Sequence, residues 1–263
     1  MNRPSSESIP RPSAWRAFLG VWQLTYPRFL TLNRLLLLAG LLAVAAVIAQ
    51  ALVPADIAGP LARARYLNVV VSVYVCLLSP TFAFLSAAGS MRDGLSSRTV
   101  DYVLTRPVRR SRFVVFKYLA ELPVLQLQTL LALAVALMLG GWRGVPGLGD
   151  AALPLLLVQA LLVVAFAALG TFTAVLTSRY VIAGLLYALI VEVGVGRIPT
   201  QLNRISLTQQ ARELLAPLQF AGAPEVAPAA AGSVGVMLAL AAGWVAIAAL
   251  TFAARELNAA DDV

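Results

Sequence analysis

Six uninterrupted apolar runs dominate the chain, at residues 35–53, 67–90, 119–141, 153–177, 180–195 and 232–254. A helix rising about 1.5 Å per residue needs about 20 residues to cross a hydrocarbon core of about 30 Å, and the runs sit near that length. The fifth is the shortest and carries Glu192 close to its far end. At membrane depth no water is available to backbone amides, so each run must satisfy its own hydrogen bonds as a helix. Their apolarity is continuous rather than alternating, which excludes a β-barrel. The expected fold is all-α: a polytopic membrane protein with six transmembrane helices. Composition agrees, since 60% hydrophobic and only 12% charged residues, at a mean hydropathy of +0.84, cannot clothe 263 residues in a water-facing surface.

Orientation follows from where the cations fall. The stretch before the first run (Arg3, Arg11, Arg16, Arg28, Arg34), the loop between runs two and three (seven Lys and Arg), Arg179 and Arg255 place fourteen on one side. The other side holds six: Arg63, Arg65, Arg143, Arg197, Arg204 and Arg212. Both termini are therefore expected in the cytoplasm, in a multi-pass protein of the cell (inner or plasma) membrane. The net charge of +8 is then a consequence of topology. It is not a nucleic-acid surface, because no soluble module is long enough to carry one.

The segments divide accordingly. Residues 1–12 are rich in Pro and Ser and read as a disordered tail. Residues 13–34 read as an interfacial amphipathic helix, with Trp15, Phe18, Leu19 and Trp22 on one face and Pro27 near its end. Since the first run starts only at about residue 35, beyond several arginines, it is expected to remain in the mature protein. Residues 35–254 form the transmembrane domain, with a cytoplasmic loop at 91–118 and an extracytoplasmic segment at 197–230; residues 255–263 are a cytoplasmic tail. Within 197–230, an amphipathic helix is expected over 202–218, either capping an exit or lying on the membrane. The single cysteine, Cys76, has no partner and reads as a packing residue.

The loop MRDGLSSRTVDYVLTRPVRRSRFVVFKY (91–118) concentrates charge between two spans. Its Asp93, Gly94 and Arg98 form DGxxSR, near the DGxxAR of the CDP-alcohol phosphotransferases. Those enzymes converge several carboxylates on divalent metals. Here the corresponding positions hold Ser90, Pro107, Ser111 and Val115, so the motif is incomplete and no catalytic or metal site is assigned. Anionic lipid explains the arginines but not the apolar face within the loop. Val100, Val103 and Leu104 stand at i, i+3, i+4 spacing, with Pro107 ending the turn, and predict a short amphipathic helix. Ser111 is placed to cap a second helix that runs through Phe113, Phe116 and Tyr118 into the third span.

These residues resemble the segment between the second and third spans in permease subunits of type 2 ABC exporters. There a polar run ends in a Thr-Leu-like pair, a short helix follows, and a Pro-hydrophobic-x-Arg turn and a Lys enter the third span. The matching positions are Thr99, Val100, Leu104, Pro107, Val108, Arg110 and Lys117, while Asp93, Ser97 and Arg98 stand where the family commonly carries Glu and Gly. A second stretch, GLLYALIVEVGVGRIPTQLNRISL, is similar to the fifth-span exit of permeases grouped with multicopper-enzyme maturation, through Tyr187, Glu192, Ile198 with Pro199, and the helix that follows. The resemblance implies a non-enzymatic subunit in a transporter of two permeases, as homodimer or heterodimer, and two ATPases. The chain has no GxxxxGK[ST] run, so ATP and Mg are expected in the partner subunit and no cofactor in this chain. In that scheme the helix around Thr99, Val100, Val103 and Leu104 enters a groove on the ATPase, with Arg106, Pro107, Arg109, Arg110 and Arg112 around it. Glu192 and Tyr187 are candidates for a substrate path or gate.

Other readings stay open. Glu192 is either a functional carboxylate in the membrane or an interfacial partner of Arg197. Glu121 is placed to pair with Lys117 at i, i+4. Gly170, Thr171 and Thr173, like Gly232, Gly235 and Gly243, predict close helix packing. Pro80 and the serines at 79, 86 and 90 can soften the second span. A secondary carrier, a channel or a non-transporting scaffold remain alternatives, although the chain has no His and no acidic residue at the centre of a span. Nothing in the sequence selects a substrate.

Overall fold

The computed structural model describes residues 14–26, 32–51, 60–96, 110–197, 201–218, 220 and 230–260. Its elements are all helical among the described residues, as the continuous apolar runs require. In chain order they are α1 (Ala14–Thr25), α2 (Leu32–Ala51), α3 (Pro60–Val69, Val70–Leu78 and Ser79–Ser96 without a break), α4 (Arg110–Trp142), α5 (Leu148–Leu176), α6 (Tyr180–Tyr187 extended by Ala188–Gly194), α7 (Leu207–Leu215) and α8 (Ala230–Ala260).

Among the described residues four stretches are long and apolar enough to cross a membrane: Pro60–Leu95, Ser111–Trp142, Leu148–Leu176 and Ala231–Ala254. The first and fifth expected spans correspond to the shorter apolar helices Leu36–Val47 and Tyr180–Gly194. The chain is thus a helical, membrane-type protein.

The helix α5 is the axis of the bundle. It packs on the second half of α3, on α8 and α4, and on α6 and α7, while α1 and α2 lie against α4. Small residues set the tightest approach. A Cβ on Gly170 would lie 2.5 Å from the Phe84 carbonyl oxygen and 3.2 Å from the Ala88 amide, so α3 and α5 meet backbone to backbone there. Buried Ala83, Ala87 and Ala88 face that contact. Thr171 returns its hydroxyl to the Ala167 carbonyl and Thr173 to that of Gly170, so neither brings an unmet polar group into the interface. The predicted packing at 170–173 is present. At Gly232, Gly235 and Gly243 it is not, because nothing lies within 4 Å of where their Cβ atoms would stand.

Tyrosines tie the other helices together. Tyr66 and Tyr74 of α3 donate to the carbonyls of Ala136 (2.5 Å) and Thr129 (2.6 Å) on α4, and Tyr118 of α4 donates to that of Val164 on α5 (2.9 Å). Each bond between helices in lipid contributes about 0.6 kcal/mol on average, and each keeps a phenol from being buried unpaired.

Several local expectations are refined. Lys117 and Glu121 pair at 3.5 Å, but inside the bundle rather than at an interface, with side chains only 5% and 2% exposed. Ser111 lies inside the first turn of α4, because Arg110 is already helical, so it is not the cap. The helix does run straight from there into the membrane-length stretch, as the sequence predicts. The helix α1 does more than lie in an interface, since the Phe18 ring meets that of Phe116 on α4 at 5.8 Å. The expected tail at 1–12 lies outside the described residues, and the segment 197–230 lies within them only in part.

Candidate functional site

Two of the helices change their winding where they face one another. In α3 the π-helical stretch Val70–Leu78 precedes Ser79 and Pro80, and the Ser79 amide donates to the Tyr74 carbonyl five residues back. Pro80 has no N–H to give and its ring crowds the carbonyl four residues earlier; a widened turn accommodates both. Thr81 covers another carbonyl by donating its hydroxyl to Leu77 (2.7 Å). The expected softening of the second span is therefore concrete: a π segment with Pro80 at its end. In α6 the π-helical stretch is Ala188–Gly194, with Glu192 inside it.

Glu192 accepts five hydrogen bonds. Its Oε1 accepts from the Tyr187 hydroxyl and the Leu207 amide, both at 3.1 Å. Its Oε2 accepts from the Ser206 hydroxyl (2.7 Å), the Thr208 amide (3.1 Å) and the Thr208 hydroxyl (2.5 Å). Four of the five donors belong to the first turn of α7 and its N-cap, and the fifth is Tyr187 of α6 itself. Ser206 itself caps the helix by accepting from the Gln209 amide at 3.2 Å. An anion at a helix N-terminus meets unpaired amides and the positive end of the helix dipole. Four of its five hydrogen bonds come from a helix start 14 to 16 residues downstream, a set of partners neither reading of Glu192 foresaw.

The approach depends on Gly196. A Cβ there would lie 2.9 Å from the Ser206 hydroxyl, so a side chain at 196 would push α7 away from α6. The inner face of α7 then seats Leu207, Gln210, Ala211 and Leu215 in the bundle, against α5 and α8. The helix predicted over 202–218 is divided: Gln201–Ile205 and Ala216–Leu218 are 3-10 turns, and α7 lies between them as a docked plug.

These elements form an open cavity of about 400 Å³, lined by Ser72, Cys76, Pro80 and Thr81 of α3, Ala188, Glu192 and Val193 of α6, Phe166 of α5, and Thr208, Gln209 and Arg212 of α7. The Arg212 guanidinium reaches Ser72 Oγ at 3.5 Å. Cys76 is a free, buried thiol on the wall. Tyr187 turns edge-on to Phe166 (6.3 Å) and to Trp244 of α8 (5.7 Å), which fixes the ring that holds Glu192.

The sequence therefore named two members of this site, Glu192 and Tyr187, and missed Ser72, Ser206, Thr208 and Arg212. A signal for one corner exists: Ser206-x-x-Gln209 has the form of a capping box and marks where α7 starts. Nothing local to residue 192 says that this helix start would come to it.

The other predicted group is placed only at its edge. Thr99, Val100, Val103, Leu104, Arg106, Pro107 and Arg109 lie outside the described residues, as do Ile198 and Pro199. Arg110 opens α4, and Arg112 is exposed in its first turn. Among the described residues no cluster of three or more acidic, Cys or His side chains could hold a metal. A scan against protein-family models finds no match, and a search of the curated proteins finds none.

Proposed function

We propose that the chain is the membrane-spanning permease subunit of an ABC exporter, driven by a separate ATPase subunit that binds ATP and Mg. In this reading α2, α3, α4, α5, α6 and α8 all cross the cell membrane, α2 and α6 as the shorter members. Both termini lie in the cytoplasm, and the cavity opens toward the far side. The observation that carries the reading is the cavity between α3 and α6, walled on both sides by helices whose regular winding is interrupted. Non-regular backbone at membrane depth is tolerated where it lines a cavity, and it marks binding sites in transporters.

The coupling follows from connectivity. The helix α3 runs unbroken from the cavity wall at 72–81 to Ser96, at the edge of the 97–109 segment. A partner pulling on that segment acts on the cavity through one continuous helix. The permease works as a pair, and the outward glycines of α8 at 232 and 235 leave room for a second copy to approach.

The test is Val103→Asp with Leu104→Asp in the complex purified from its own membranes. The variant is expected to lose the ATPase subunit and ATP-driven export while keeping the monodisperse elution of the parent. Retention of both refutes the reading. A secondary carrier is favoured by one feature, the carboxylate in the cavity wall. Ion-gradient-driven uptake by the chain alone in vesicles would select it.

A further inference from the structure

The cavity does not end at Thr81 and Ala188. A second, almost wholly apolar pocket of about 150 Å³ shares Thr81, Phe166 and Ala188 with it and continues along Phe84 and Leu85 of α3 and Val181 and Leu185 of α6, over Leu169 of α5. The order of residues fixes how the two are stacked. On α3 the polar cavity takes positions 72–81 and the apolar one 81–85; on α6 the polar cavity takes 188–196 and the apolar one 181–188. The helices therefore run antiparallel along one groove about 20 Å long, polar at one end and greasy at the other. Gly184 lets the Phe84 ring lie across the helix, because a Cβ there would come within 2.3 Å of it.

Charge is distributed unevenly at the polar end. One acidic and one basic side chain line it, Glu192 and Arg212. The carboxylate is saturated by five donors and by the N-terminal end of α7. The guanidinium, with five N–H donors, makes one long bond to Ser72 and stands beside the Cys76 thiol, which leaves donors to spare. Spare donor capacity next to hydroxyls, opening on an apolar slot, is complementary to one chemistry.

We propose that this groove binds a single-chain amphiphile with an anionic head, the head on Arg212 beside Ser72 and the chain between α3 and α6 across Phe166. As a binding site it stands on the geometry alone; as the transported class it rests on the permease reading. The combined space falls in the range of about 300–1,000 Å³ usual for small-molecule sites, and its apolar part is a slot suited to one chain. The polar end lies toward Gly196 and α7; in the six-span reading that is the headgroup side, so a bound chain points toward mid-membrane.

The experiment uses the full chain in nanodiscs of zwitterionic lipid, with no ATPase, and a photoactivatable sixteen-carbon fatty acid as probe. The matching monoacylglycerol serves as its neutral counterpart. Labelling by the anionic probe is expected within 81–85 and 181–188, and Arg212→Gln should weaken it by about tenfold, the worth of a charge-assisted bond, while sparing the neutral probe. Leu185 is 65% exposed and tolerates a larger side chain without disturbing the bundle, so Leu185→Trp should block both probes while leaving the thermal midpoint of the parent. Equal labelling of the parent and Arg212→Gln, or labelling spread evenly over the outer helix faces, overturns the site. Competition by two-chain phosphatidylglycerol as potent as that of the fatty acid overturns the single-chain assignment. Binding intact but no ATP-driven efflux of the probe from the complex refutes it as cargo and leaves the site standing.

Discussion

The helices α5 and α6 are consecutive, joined by a three-residue turn and similar in apolarity, yet their surroundings differ completely. Seventeen of the 29 residues of α5 are buried, and none of Tyr180–Tyr187 or Ala188–Gly194 is. The first stays α-helical from end to end, with Pro154 inside it, and meets α3 backbone to backbone at Gly170. The second changes to π winding and is held at its far end by a carboxylate, a phenol and the start of α7. In lipid, apolarity alone gives no attraction between helices, so packing of small residues and polar bonds decide what is fixed and what is loose. Here the α3–α5 seam is the fixed part. The helix α6 is latched by Glu192 and can be released without dismantling the core.

That contrast can be broken most severely at the seam. Gly170→Val places carbon atoms against the Phe84 carbonyl, and overpacking of this kind costs about 3 kcal/mol or more; loss of monodisperse protein in detergent is the expected result. An unchanged elution profile would show that α3 and α5 can slide apart, and the contrast would fail. Next comes the latch: Glu192→Ala strands several donors, at about 2–3 kcal/mol locally. Faster hydrogen exchange is expected in residues 201–218, with the α3–α5 seam still protected. Tyr187→Phe removes one of the five bonds and should cost about 1 kcal/mol, visible as a smaller rise in exchange over the same residues. The smallest effect is expected at Gly243→Ala. With nothing within 4 Å of that position, a better helix former should leave the melting temperature unchanged or raise it by the equivalent of up to about 1 kcal/mol.

The helical class and the location of the apolar helices were legible because the demand is one-dimensional: every backbone amide in lipid must be paired within its own segment. Pairing of Lys117 with Glu121 was legible for the same reason, being set by helical spacing. Which glycines mark a seam was not. Gly170 and Gly243 look alike in sequence, and only tertiary placement puts one against a carbonyl and the other on an open face. Glu192 was legible as a costly residue, whereas its partner was not, because the closeness of Ser206 to Gly196 is a property of the folded chain. The capping pattern at 206–209 announces a helix start without saying what anion it will meet. Arg212 read only as an extracytoplasmic cation, since its place on the cavity wall depends on how α7 docks.

Cys76 offers the most direct test of the claim that the cavity is driven from the loop below α3. It is the chain's one cysteine, it is buried, and it lies on the cavity wall within the π segment. In the proposed complex with an ATPase subunit, its rate of reaction with a membrane-impermeant maleimide should be low without nucleotide and rise several-fold during ATP turnover. Trapping with a non-hydrolysable analogue should hold it at one fixed rate. Identical rates with ATP, with ADP and without nucleotide, in a complex that hydrolyses ATP, would contradict the account.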